Sequence, residues 1–157
     1  MLKIDYLKNH SHFIPVLARW IFDAWGSYNA DSTIEKIQQK LTAHLNDHCL
    51  PLTLIALRDN VPIGMASLRV SDGCDHLGPS CTPWLASLFV IQEERSKGIA
   101  ARLIQEILQK AKNLDFSECY LLTFEKNLIK YYESLGWHYL QDDLYNVHSV
   151  SIMKINT

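Results

Sequence analysis

The apolar pattern of this 157-residue chain is that of one α/β domain spanning residues 1–157. Short apolar runs of strand length alternate with longer stretches of helical period, the run Trp84 to Ile91 is apolar almost throughout, and no repeat, low-complexity tract or linker interrupts the series. The order reads strand, helix, helix, strand, strand, then strand, helix, strand, helix, strand, strand.

Each element has a local cause. Leu2 to Leu7 alternates enough for a first strand. Phe13, Ile14, Leu17, Ala18, Ile21, Ala24 and Trp25 then recur at helical spacing. Ser32-x-x-Glu35 has the form of a capping box opening a second helix, whose buried stripe is Ile34, Ile37, Leu41 and Leu45. Pro51 ends that region. Leu52 to Leu57 is β-prone, Asp59-Asn60 suits a tight hairpin turn, and the returning strand runs from Val61 to about Val70, with Pro62 near its start.

Ser71 to Pro83 is rich in Gly, Pro, Ser, Asp and Cys and reads as a loop. The apolar run Trp84 to Ile91 suits a strand covered on both faces. A long amphipathic helix follows, with Ile99, Leu103, Ile104, Ile107, Leu108 and Ala111 on one side and Arg102, Gln105, Glu106, Gln109 and Lys110 on the other. Cys119 to Phe124 gives another strand. Leu128, Tyr131, Tyr132 and Leu135 mark a short helix stopped by Gly136, and two strands close the chain near Trp137 to Gln141 and Val147 to Ile155.

Composition narrows the function. With 48% hydrophobic and 20% charged residues and a formal net charge of -2, no basic run is present to neutralise phosphates over a broad face, which argues against nucleic acid. The N-terminal residues lack the apolar core of a signal peptide and no run approaches membrane-spanning length, so the expected location is cytoplasmic, with no membrane partner. Cys49, Cys74, Cys81 and Cys119 form no C-x-x-C pair. Cys74, His76 and Cys81 match no common metal spacing, and the expectation is free thiols and no metal.

The segment richest in chemistry is Arg95-Ser96-Lys97-Gly98-Ile99-Ala100, between an apolar strand and a long helix. A helix start opened by small residues presents unpaired N–H groups, which makes an anion site. Arg95 and Lys97 sit where the helix dipole disfavours cations by roughly 0.3–1 kcal/mol each, an effect that a bound polyphosphate would reverse. Glu93 and Glu94 offset part of it. The spacing matches neither a G-x-G-x-x-G fingerprint nor a P-loop.

Downstream lies Tyr131-Tyr132-Glu133-Ser134-Leu135-Gly136-Trp137. R-x-x-G-x-A before a helix, followed by Y-x-x-x-G-[FW], resembles the GNAT superfamily of acyl-CoA-dependent N-acyltransferases. The motifs cover roughly Trp84 to Leu140, and the element order extends the resemblance to the whole chain. It implies a mixed, mostly antiparallel sheet flanked by about four helices. The fourth and fifth strands would be a parallel pair splayed at the cofactor site, by a bulge that the sequence does not reveal.

The resemblance also implies acetyl-CoA as co-substrate and a primary amine as acceptor. The pyrophosphate would lie on Arg95, Ser96, Lys97, Gly98, Ile99, Ala100 and Ala101, with Gly98 and Ala100 small so that backbone approaches phosphate. Leu88, Phe89 and Val90 would pair with the pantetheine amides, and Tyr132 would protonate the departing thiolate, as a phenol of pKa about 10 stays protonated at neutral pH. Two positions depart from the family pattern. Gln92 replaces a frequent proline, and Lys126 stands where an asparagine is common, leaving Asn127 one residue later as a weak cofactor ligand or a helix cap.

The strand before the phosphate turn lacks an acid, so Glu93, Glu94, Glu125, Asp75, His76 and a water chain compete as general base. Trp20, Trp25, Tyr28 and Trp84 are candidates for an apolar acceptor wall, though Trp20 and Trp25 are also good core residues and at least one of them is assigned to the core. The early helices carry no acidic cluster that would suit a polycationic acceptor. A non-catalytic acyl-CoA-binding regulator and a protein- or RNA-modifying transferase are the alternatives, as monomer or homodimer.

Overall fold

A computed structural model describes residues 1–157. In chain order its regular elements are β1 (Leu2–Tyr6), α1 (Ile14–Trp25), α2 (Ile34–Thr42), β2 (Leu52–Arg58), β3 (Val61–Arg69), β4 (Trp84–Val90), α3 (Ile99–Asn113), β5 (Glu118–Thr123), α4 (Ile129–Ser134), β6 (His138–Tyr145) and β7 (His148–Asn156). The strands form one seven-stranded sheet ordered β1-β2-β3-β4-β5-β7-β6. Every neighbouring pair is antiparallel except β4 and β5.

Both faces of the sheet are covered, which explains why β2 is apolar without alternation. Leu54 and Ala56 join the core beneath α3, with Leu103, Ile104 and Ile107. Ile55 and Leu57 point the other way, into a second cluster with Leu17, Ala18, Ile37 and Leu41 of α1 and α2. Period-2 geometry thus divides one apolar run between two cores. A third cluster, around Cys74, Trp84, Tyr120, Val150 and Ile152, underlies the β3–β4 loop.

Asp59 and Asn60 both take positive φ, 53° and 67°, the conformation a two-residue hairpin requires. The cap of α2 falls one residue later than the capping-box pattern suggests: Thr33, with extended dihedrals, accepts the Lys36 N–H on its Oγ1 at 3.1 Å, and Ser32 does not cap. Gly136, at φ +98°, stops α4, and the Tyr132 carbonyl accepts from both Leu135 and Trp137 N–H. The final hairpin is longer than its sequence pattern implies, with β6 continuing to Tyr145 and turning at Asn146. No helix is long and apolar enough to cross a membrane.

Candidate active site

The site begins where β4 leaves its parallel neighbour. β4 and β5 share a single registered pair, Trp84 with Tyr120. On the β3 side the register runs Ser67 to Ala86 and then Met65 to Phe89, so Ala66 faces two residues, Ser87 and Leu88. Ser87 takes φ +53°, which is the bulge that the sequence leaves unread. Beyond it β5 no longer pairs with β4, and Ser87, Leu88 and Phe89 lose the full burial of Trp84, Leu85 and Ala86.

The turn after β4 continues this opened edge. The N–H groups of Ser96, Lys97, Gly98, Ile99, Ala100 and Ala101 have no hydrogen-bond acceptor within the protein, and the first bond of α3 is Arg102 N–H to the Gly98 carbonyl at 3.1 Å. Six consecutive free donors at a helix start form a strongly anion-seeking surface. Gly98 sits at φ +80°, where only glycine is relaxed, and a Cβ there would meet no atom within 4 Å. Open space therefore lies in front of the turn.

Side chains fix that path. Arg95 Nε donates to the Val90 carbonyl at 2.9 Å, and its guanidinium lies 5.5 Å from the centre of the Phe89 ring. Glu94 accepts two bonds from Arg58, at 2.9 and 3.1 Å, and one from Lys97 at 3.2 Å. The bond from Arg58 holds the Glu94 carboxyl below its ordinary range, so it serves as a structural counter-ion and not as a proton acceptor.

A cavity of about 930 Å³ joins these parts. Leu88, Phe89 and Val90 line it from β4; Arg95, Ser96, Gly98, Ile99, Ala100 and Ala101 line it from the turn and helix; Tyr132 lines it from α4. Lys97 and Asn127 do not reach it: Lys97 is turned to Glu94, and Asn127 lies in a short 3-10 turn spanning Lys126–Leu128. Tyr132 is only 8% exposed, its ring edge-on to those of Tyr131 and Trp137, and burial pushes its hydroxyl up to about 12. That hydroxyl has no hydrogen-bond partner in the protein and is not sealed from the cavity.

The opposite end is aromatic. Tyr28 stacks on Phe124 with centroids 3.7 Å apart, and Tyr145 meets Phe124 edge-on at 5.4 Å. Trp25 and Tyr28 line the cavity as expected. Trp20 packs on Phe89 outside it, and Trp84 is core: 1% exposed, beneath the β3–β4 loop, its Nε1 donating to the Cys81 carbonyl at 2.7 Å. The pleat that puts Leu85 under α3 sends Trp84 to the other face.

Asp72 and His44, which the sequence did not single out, also reach this end, as do Lys40 and Arg69. Asp72 takes one bond from Arg69 Nη1 at 3.1 Å, and its side chain is 17% exposed; burial outweighs Arg69 and Lys40 and pushes its carboxyl up to about 7. His44 Nδ1 bonds to Thr53 Oγ1 at 2.8 Å, and burial, aided by Arg69, lowers the imidazole to about 4, so it is neutral at physiological pH. Neither has a local sequence signal, because each reaches the cavity only through long-range packing. Of the other base candidates, Glu125 lines the cavity, whereas Glu93, Asp75 and His76 do not, and His76 pairs with Asp143 at 2.8 Å.

A family profile, that of the Acetyltransferase (GNAT) family, matches residues 14–137. The chain belongs to the GNAT family of acetyltransferases. Solved GNAT folds superimpose over nearly its full length. One is an aminoglycoside 6'-N-acetyltransferase complexed with coenzyme A, 14% identical, with 98% of this chain and 96% of that chain covered and a TM-score of 0.74. Another is yncA, a putative acetyltransferase from Salmonella typhimurium with its cofactor acetyl-CoA, 13% identical, 99% and 93% covered, TM-score 0.77. A third, an N-acetyltransferase from Staphylococcus aureus Mu50, is 14% identical, 99% and 98% covered, TM-score 0.77. A comparison with curated proteins finds no match. The mixed sheet with one parallel, splayed pair is the fold these proteins share with this GNAT chain.

Proposed function

We propose that this chain is an acetyl-CoA-dependent N-acetyltransferase that transfers the acetyl group directly to a primary amine. One observation carries the reading: six unpartnered N–H groups continue the opened edge of β4 into one cavity that also holds the Tyr132 hydroxyl. A pyrophosphate fits such a donor row, and the amides of a pantetheine arm fit a strand edge without a partner. Val90 lies at the turn end of β4, so an arm anchored at Ser96 to Ala101 reaches the bulge at Ser87 by following the strand.

The chemistry balances without a covalent enzyme intermediate. The neutral amine attacks the thioester carbonyl carbon, a C–N bond forms, the C–S bond breaks, and the proton lost by nitrogen ends on sulfur. Tyr132 is a weaker acid than a thiol, whose ordinary pKa is about 8.5, so its part is to donate a hydrogen bond to the developing thiolate and not to surrender its proton outright. Glu125, which lines the same cavity, would draw the ammonium in before it deprotonates.

Acetyl-CoA should raise the melting temperature in a thermal-shift titration, because a ligand specific to the native state stabilises it by mass action. Thiol release should then appear with members of an amine panel. No shift at saturating acetyl-CoA refutes the donor site, and a shift without turnover of any amine assigns the chain to acyl-CoA sensing instead.

A further inference from the structure

We propose that the acceptor is a primary amine bearing an anionic group and an apolar body, of the amino-acid or short-peptide kind, with the anionic group held by Arg69 and Lys40. The inference deepens the acetyltransferase reading and rests on it for the donor.

Position is the first argument. In the β3–β4 ladder Gly64 pairs with Val90, beside the phosphate turn, whereas Arg69 pairs with Trp84 at the other end of β4. Six residues of strand separate the two ends, roughly 20 Å. Arg69 therefore lines the cavity at the other end of β4 from the anion cradle, leaving room for a second substrate there.

Charge is the second. That end is lined by Lys40 of α2, Arg69 and Asp72, with His44 neutral beside them. The Lys40 ammonium has no carboxylate within ion-pair distance, and Arg69 gives only Nη1 to Asp72. Two cations thus face one carboxylate, and that carboxylate is partly protonated near neutral pH. The other cavity acids lie elsewhere: Glu94 is bound by Arg58 and Lys97, and Glu125 stands near Tyr132. A local excess of positive charge with free N–H donors is the complement of a carboxylate.

The walls supply the third. Tyr28, Phe124 and Tyr145 pack together into an aromatic wall of the cavity, which rewards an apolar body. Glu125 at one end and Arg69 with Lys40 at the other match a molecule that is cationic at the reacting nitrogen and anionic beyond it. A polycation would set several ammonium groups against Arg69 and Lys40. The shared fold with an aminoglycoside acetyltransferase therefore does not extend to a shared acceptor.

The test compares matched amines at saturating acetyl-CoA: phenylalanine and a phenylalanine dipeptide against phenethylamine, with spermidine and an aminoglycoside as polycations. The kcat/KM values from thiol release are read beside calorimetric binding of N-acetylphenylalanine and N-acetylphenethylamine to the CoA-loaded protein. The carboxylated members should lead by at least tenfold in both readouts. Lys40→Met, at an exposed helix position that folding tolerates, should narrow that lead at least fivefold, and Lys40→Glu should invert it. Equal or better performance by phenethylamine or a polycation overturns the inference, as does a lead that neither Lys40 variant alters. Failure of the carboxylated ligands to bind CoA-loaded protein overturns it while leaving the donor site standing; failure of acetyl-CoA to bind removes the acetyltransferase reading itself.

Discussion

Trp84 and Tyr120 are the one residue pair through which β4 and β5 meet in parallel register, and their rings lie 5.5 Å apart, tilted by 33°. Tyr120 N–H closes the contact by donating to the Pro83 carbonyl at 2.9 Å. This is the shut end of a wedge. From here the Ser87 bulge turns β4 away from β5, and main-chain groups on the opened edge are left to ligand or water. The packed aromatic pair keeps the sheet continuous while its neighbouring residues come apart.

Gly98→Ala should weaken acetyl-CoA binding at least tenfold. The added methyl has space, so the loss comes from φ +80°, which costs an L-residue roughly 1–2 kcal/mol and shifts the donor row as the turn relaxes. Calorimetry with acetyl-CoA checks this, and an unaltered affinity would show that the turn does not hold the phosphates.

Tyr132→Phe should lower kcat by about 10²-fold while acetyl-CoA affinity changes by no more than about twofold. The ring stays in its edge-on packing with Trp137, and only the hydroxyl facing the cavity is lost. Equal turnover by the two proteins would remove Tyr132 from the chemistry.

Gly73→Ala should damage the acceptor side alone. A Cβ at Gly73 would stand 2.5 Å from the Tyr145 ring, at φ +86°, so the ring must leave its place against Phe124. The KM for the amine should rise several-fold with acetyl-CoA affinity retained; parallel loss of both would mean that the two ends of the cavity are not independent.

Asp72→Asn should turn a nearly flat stability profile between pH 4 and 6.5 into one that rises with pH. In the parent, burial raises Asp72 from 3.8 to about 7, so the folded state holds a proton that the unfolded state has lost, and this group's contribution to stability falls as pH rises through the window. His44 opposes it: burial lowers the imidazole from 6.5 to about 4, so its contribution is complete above 6.5 and is lost as pH falls. Removing Asp72 leaves the His44 slope, and the variant gains on the order of a few kcal/mol over the parent at pH 8. Urea unfolding at pH 4.5, 6 and 8 measures it; a slope identical to the parent's would mean that Asp72 ionises normally.

The element order was legible because apolar period and turn residues are local signals: Asp59-Asn60 and Gly136 carry their backbone conformations in their chemistry. The row of free N–H groups at the start of α3 was legible for the same reason, as strand, turn and helix are contiguous. The bulge was not, since nothing in Trp84-Leu85-Ala86-Ser87-Leu88 separates Ser87 from its neighbours until Ala66 must face two residues. The far end of the cavity was least legible. Asp72 and Tyr145 are more than seventy positions apart in the chain, and only the long β6–β7 hairpin brings the Tyr145 ring down on Gly73. Trp84 misled because an aromatic residue at a strand start suits a pocket wall and a core equally, and the pleat chose the core.

The six free N–H groups from Ser96 to Ala101 belong to the main chain, whereas the far end of the cavity is set by the side chains of Lys40, Arg69, Asp72 and Tyr145. The two halves are therefore exposed to mutation on different terms. Most replacements in the turn that preserve its dihedral path keep the same row of donors, while a single exchange at Lys40 reverses a charge on the cavity wall. A lineage carrying this scaffold can therefore alter the far end of the cavity freely while the row of main-chain donors stays as it is.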